Sequence, residues 1–213
     1  MKRILDILIS LCALSLLLPV FLIVAYKVCK NLGSPIFYLQ DRPGKDGKIF
    51  KMIKFRSMLH AIDQNGNPLP DNQRITPFGQ KLRSTSLDEM PQLINVLKGD
   101  MSIVGPRPQM KEFLDHYTPE QMRRHEVKPG MTGLAQVSGR NNLSWEEKFA
   151  LDVQYVDTRT IWLDFKIMFK TLKVMITKEG INAPDHAVGA PRFSQQKNTD
   201  LTKDLKIAER QEN

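Results

Sequence analysis

Cysteine is scarce in this chain. Two occur among 213 residues, Cys12 and Cys29, and in a helix rising ~1.5 Å per residue they stand about 25 Å apart. A disulfide framework is excluded, which suits a body facing a reducing compartment. Histidine numbers four, at positions 60, 116, 125 and 186; with no H-E-x-x-H run and no cysteine cluster, a zinc site has no basis. No internal repeat is visible, and from Ile7 to Tyr26 there is no charged residue. At helical rise that run covers roughly the 30 Å hydrocarbon thickness of a bilayer.

A secretory signal fits the apolar run poorly. Asp6 interrupts the basic start, the run exceeds the usual ~7–15 residues, and no A-x-A-like site follows. Lys2 and Arg3 precede it while Lys27 and Lys30 follow, so basic asymmetry sets no orientation. Two geometries stay open on these residues: a spanning helix that tolerates Pro19, or a re-entrant one that bends at Pro19 and sets both basic flanks at anionic headgroups on one side. In the second, Ser15 stands four residues ahead to hydrogen-bond backbone groups freed by the bend.

Lys and Arg number 31 against 23 Asp and Glu, a net charge of +8. That surplus favours anionic partners: phosphorylated substrates, acidic lipid headgroups or nucleic acid. Length and composition suit one compact domain with an appendage. Two apolar stretches flanking GKDG, with Asp46-Gly47 at the turn, predict a β-hairpin. On its second strand Lys54 and Arg56 project from one face, either as a phosphate grip or as lysine-type protection of a strand edge. Residues 63 to 73 are nearly all turn formers and predict a surface loop. Helical periodicity in Leu93, Ile94 and Leu97 stops at Lys98-Gly99. Near the end, TIWLDFKIMFKTLKVMI puts Ile161, Phe165, Met168, Phe169, Leu172, Met175 and Ile176 on one side. Core packing and an interfacial helix at the headgroup plane fit this pattern equally. Beyond Asp185 the polar composition predicts a poorly ordered tail.

The stretch STSLDEMPQLINVL sets Asp88 and Glu89 side by side. Pro91 belongs in a first turn, which predicts a helix start near Asp88 and both acids at the positive end of its dipole, ionised, with lowered pKa values. Good capping by Ser86-x-x-Glu89 explains that much alone. Lys54, Arg83, Arg107 between two prolines, and Arg140 add a cation inventory suited to phosphates. Two ionised acids would repel a diphosphate unless a divalent cation lay between, and oxygen ligands suit Mg²⁺. A carboxylate nucleophile, a metal and arginines make a phosphoryl-transfer site.

These blocks carry a resemblance. KFRSM, the acid pair in LDEMPQL, GDMSIVGPRP, KPGMTGLAQVSGR and the later Tyr155 and Asp164 region, in this order, resemble the small monotopic polyprenyl-phosphate phosphoglycosyl transferases of the bacterial sugar transferase family, from the amino terminus to about residue 184. The resemblance implies an α+β protein with a re-entrant membrane helix over 1–30 and a catalytic domain over 31–184, mostly helical, with a β-hairpin and interfacial amphipathic helices. Residues 185–213 form the tail. It implies transfer of a sugar 1-phosphate from a UDP-sugar to a polyprenyl phosphate with release of UMP, through a phosphosugar on Asp88. Asp88 and Glu89 would be catalytic and hold Mg²⁺, while Lys54, Arg83, Arg107, Arg140 and Asp164 bind substrate. The partners implied are the two substrates and lipid headgroups, without nucleic acid, at the cytoplasmic face of the inner membrane. Family members often carry serine directly before the bending proline, where this chain has Leu18. Two rivals predict other outcomes: a membrane-tethered basic adaptor makes the acids dispensable, and a nucleotide-diphosphate hydrolase releases UMP without a lipid acceptor.

Overall fold

The computed structural model describes residues 1–67, 69–139 and 142–177. Helix α1 spans Lys2–Leu32 with Pro19 inside it. In its most apolar 18-residue window 11% of residues are buried, so it is no core helix and its middle offers leucines to a surrounding apolar phase. Among the described residues Ser15 makes no side-chain hydrogen bond, so the bond anticipated at the bend is absent.

Both ends of α1 are fastened to the body. At the start, Lys2 pairs with Asp164 at 2.6 Å and Arg3 donates to the carbonyls of Val96 and Leu97. The buried Asp6 carboxylate accepts from Ser102 Oγ and, at 3.0 Å, from the Ile103 amide. Lys2 and Arg3 thus serve the body, where the sequence suggested headgroups. At the other end Val24, Val28 and Leu32 share a core cluster with Phe55, Leu82 and Met90, and the Phe21 and Phe55 rings lie 4.8 Å apart. Arg56 donates to the carbonyls of Leu32, Gly33 and Ser34. A cation capping the last carbonyls of a helix satisfies groups left without intrahelical partners, so Arg56 is a helix cap and no part of a grip with Lys54.

Strands β1 (Phe37–Pro43) and β2 (Ile49–Phe55) form the antiparallel hairpin. Its turn uses the left-handed region at Asp46 and Gly47, φ 57° and 71°, which Asp and Gly tolerate best. The loop expected over 63–73 is partly ordered: Asp63 Oδ1 accepts the amides of Asn65 and Asn67 and α2 (Asp71–Arg74) follows. Helix α3 (Pro77–Ser84) is capped by Thr76. A 3₁₀ turn at Leu87–Glu89 leads into α4 (Gln92–Lys98), which ends at Gly99 with φ 96°.

Strands β3 (Ser102–Val104) and β4 (Gly130–Thr132) pair in parallel. Short helices α5 (Pro119–Met122) and α6 (Leu134–Ser138) precede α7 (Trp145–Thr158), whose capping box joins Ser144 and Glu147. Helix α8 covers Ile161–Thr177. Its buried line runs through Asp164 and Ile167 toward Val104 and Tyr155. Phe169, counted with the apolar side in sequence, is 71% exposed, and Trp162 and Leu172 are exposed with it. The side chains of Met175 and Ile176 and the tail at 185–213 lie outside the described residues. Small sheets among helices make the body α+β and mostly helical.

Candidate functional site

The acid pair does not cap its helix in the expected way. Ser86 sits in the left-handed region and makes no side-chain cap bond, so the Ser-x-x-Glu box is unformed. Glu89 instead turns to cations: Oε1 accepts from Lys54 Nζ at 2.8 Å and Arg107 at 2.6 Å, and Oε2 accepts a second arm of Arg107 at 3.2 Å. This is a two-pronged arginine–carboxylate contact with a lysine added, the strong kind of charge-assisted bond. Burial alone would raise the Glu89 pKa, but Arg107 and Lys54 outweigh it and hold the carboxyl well below its ordinary range.

Asp88 behaves oppositely. Its side chain is buried, and burial, reinforced by the charge of Glu89, raises its pKa from 3.8 to about 6 against the pull of Lys54, Arg83 and Arg107. The sequence expectation of two lowered values therefore fails for Asp88: loss of water outweighs the dipole of a single 3₁₀ turn. At pH 7 such a group is still ionised about tenfold over. Among the described residues no side chain or amide hydrogen-bonds to it.

Three cations gather at the pair from separate elements. Lys54 comes from β2, with its pKa lowered by burial though Glu89 pulls the other way. Arg83, at the end of α3, donates Nε to Ser57 Oγ at 2.9 Å and leaves its terminal nitrogens without protein partners among the described residues. Arg107 follows β3. Arg140 lies outside the described residues. Asp164 is elsewhere: it holds Lys2 and accepts the Tyr155 hydroxyl at 2.7 Å, while that hydroxyl also reaches Val104 O at 3.1 Å. That cluster ties α8 and α1 to β3.

The sequence reading missed the groups that aim these cations. Asn95, fully buried in the apolar LINVL run, accepts the Ile53 amide at 2.9 Å and donates to Lys51 O at 2.8 Å. It stitches the helix after the acids to the strand bearing Lys54. Arg124 is buried with Asp152, at 2.6 Å, and donates to Arg107 O at 2.7 Å. Gly105 and Gly130 meet backbone to backbone: a Cβ on Gly130 would lie 2.1 Å from Gly105 N. Together these fix the Pro106-Arg107-Pro108 segment. An amide inside an apolar helix run was the one available signal for Asn95.

The donor set for a divalent cation is oxygen only. Among the described residues no three His, Cys, Asp or Glu gather, so a cage built of protein alone is lacking. Asp88 offers both oxygens, and Glu89, already accepting three bonds, keeps one of about four lone-pair sites. One or two carboxylates completed by substrate phosphates and water is the arrangement Mg²⁺ favours, so the residues fit it.

With this geometry in hand, comparison with known sequences decides the family: the model of the family described as bacterial sugar transferase matches residues 1–178. The chain belongs to the bacterial sugar transferase family. Its relatives there include an uncharacterized sugar transferase, EpsL, of Bacillus subtilis, 47% identical over 91% of this chain and 96% of the relative. The undecaprenyl-phosphate galactose phosphotransferase of Salmonella typhimurium is 40% identical over 84% of this chain and 41% of its own length. A UDP-N-acetylgalactosamine-undecaprenyl-phosphate N-acetylgalactosaminephosphotransferase of Aeromonas hydrophila is 37% identical over 84% of this chain and 44% of its own. The chain thus spans nearly all of EpsL and less than half of the other two, whose names state a substrate. The family is the one the sequence motifs pointed to.

Proposed function

We propose that the protein transfers a sugar 1-phosphate from a UDP-sugar to a polyprenyl phosphate in two displacements on Asp88. A carboxylate oxygen of Asp88 attacks the sugar-bearing phosphorus, the bond to the bridging oxygen breaks, and UMP leaves. An oxygen of the lipid phosphate then attacks the same phosphorus, the acyl-phosphate bond breaks, and Asp88 is regenerated with polyprenyl-diphosphate-sugar as product. One observation carries this reading: Asp88 is a buried carboxylate without a hydrogen-bond partner among the described residues, next to a Glu89 that absorbs Lys54 and Arg107. A carboxylate engaged in hydrogen bonds would be a poor nucleophile; this one is ionised, mostly buried and unengaged.

Arg83, through its terminal nitrogens, and Lys54 stabilise charge on the transferred phosphoryl group. Glu89 keeps Arg107 and Lys54 in place, and Arg140 completes the proposed substrate-binding set, while Asp164, held by Lys2 and Tyr155, anchors α8 and α1. Mg²⁺, held by Asp88 and Glu89, would offset charge on the diphosphate and its leaving group.

The polyprenyl chain cannot leave the bilayer at roughly 0.8 kcal/mol per CH₂, so the site belongs at the interface. We assign α1 as re-entrant, with the body on the cytoplasmic face of the inner membrane. What supports this is that Arg3 donates to the Val96 and Leu97 carbonyls while Val28, about 37 Å from it in a straight helix, shares a core cluster with Met90 near the other end of that short segment. Pro19 supplies the bend. The exposed Trp162, Phe169 and Leu172 of α8 support an interfacial role for that helix.

The test is a panel of UDP-sugars with Mg²⁺ and polyprenyl phosphate, reading UMP release and the intact mass of the protein. A phosphosugar adduct mapped to Asp88, formed without lipid and discharged by it, is expected. An adduct on another residue, or sustained UMP release without lipid phosphate, overturns the mechanism.

A further inference from the structure

Arg42, on β1, carries a guanidinium that no carboxylate meets as an ion pair among the described residues; Glu112 acts on it only through space. It donates one hydrogen bond, to the neutral Gln40 Oε1 at 2.9 Å, and its buried Nε has no partner. Among the described residues it forms no ion pair, whereas Arg107 pairs with Glu89 and Arg124 with Asp152. Burial and then repulsion from Arg107 lower its pKa to about 10, with Glu112 and Glu89 opposing, so it stays charged at pH 7 beside a second cation. A half-buried cation left unpaired near another is costly, and an anionic ligand removes the cost.

The hairpin register fixes its direction from the reacting centre. Lys54 faces Tyr38 across the ladder and Arg42 faces Phe50, so both side chains leave the same face, about 13 Å apart at ~3.3 Å per residue. Asp88 feels Lys54, Arg83 and Arg107; Arg42 feels Arg107, Glu112 and Glu89. The cations therefore extend past the nucleophile toward Arg42, farther than one transferred phosphoryl group needs.

We propose that Arg42 binds the phosphate of the departing nucleoside monophosphate, the half of the donor diphosphate that is not transferred. This rests on the donor assignment above. A phosphomonoester is also the headgroup of the lipid acceptor, so the two sources of the same chemistry are separated in the test.

The full chain in micelles is titrated calorimetrically with UMP and with uridine, for the wild type, Arg42→Gln and Arg42→Lys, and KM for polyprenyl phosphate is measured in turnover. The wild type is expected to prefer UMP over uridine at least tenfold; Arg42→Gln should lose most of that preference and Arg42→Lys should keep part of it, with KM for the lipid within twofold. Because the preference is a ratio within one variant, a partly unfolded sample does not imitate the result. An unchanged preference in Arg42→Gln, or a rise in KM for the lipid in its place, overturns the proposal. Failure of the Asp88 adduct in the wild type would instead defeat the transferase mechanism, and the UMP and uridine titrations read Arg42 independently of it.

Discussion

Two adjacent carboxylates with opposite pKa displacements are a division of labour written in their contacts. Glu89 sits with two cations and stays ionised, while Asp88 is raised to about 6 by burial and by Glu89; pairs pushed apart in this way commonly mark distinct chemical roles. In the proposed mechanism the first displacement should therefore lose about tenfold in rate per pH unit below pH 6, read as burst UMP release in single-turnover quench experiments. Stability should run the other way. A carboxyl raised in the fold contributes stability below its unfolded value of 3.8, and that contribution is lost as pH rises through about 6. Asp88→Asn removes the buried charge, so at pH 7 it should raise the melting temperature by about 5 °C while abolishing UMP release. The difference in melting temperature should close toward pH 4. A variant no more stable than wild type at pH 7 would show that Asp88 is better solvated than its burial implies.

At the scale of elements, the hairpin, the glycine stop of α4 and the two late helices were legible in sequence because each depends on neighbours in the chain: Asp46-Gly47 for the turn, Gly99 for the helix end. The aiming of the site was not, because its partners are remote. Asn95 reaches β2 and Arg124 reaches α7, and nothing local distinguishes Arg124 from surface arginines such as Arg123. The Arg124–Asp152 pair makes a separable prediction. Arg124→Met leaves Asp152 buried and uncompensated and should cost about 3–5 kcal/mol in denaturant unfolding. Adding Asp152→Leu should restore most of that stability, since the stranded charge is gone. The double variant still lacks the donor to Arg107 O, so its kcat should stay low while its fold recovers. Recovery of both would make the pair purely structural. Gly130→Ala tests the same segment from the other side. Its Cβ would meet backbone at 2.1 and 2.4 Å, which no rotamer change relieves, so a loss of about 3 kcal/mol is expected.

On the scale of the whole molecule, α1 and the body are one structure. The apolar run and Pro19 were readable from composition and spacing, but the fate of its basic flank was not: Lys2 and Arg3 pair with groups 162 and 93 residues away. Asp6 is the sharpest point of that attachment, because its carboxylate serves the Ser102 hydroxyl and the Ile103 amide together in a buried setting. Asp6→Ala strands both donors at about 1–3 kcal/mol each and loosens β3, which carries the chain into Arg107. Trp162 and Phe169 make the contrasting case: both are exposed on α8 and neither belongs to the core clusters. Replacing them with serine should leave the melting temperature in micelles within about 2 °C. The same pair should raise KM for polyprenyl phosphate severalfold in vesicles of anionic lipid, with burst UMP release unchanged, because in the proposed mechanism only the second displacement draws its substrate from the bilayer. If Asp6→Ala affects both displacements equally while the serine pair affects only the second, the amino-terminal helix supports the catalytic loop and α8 governs approach to the lipid. A serine pair that melts early instead would assign those aromatic rings to packing against a neighbouring surface.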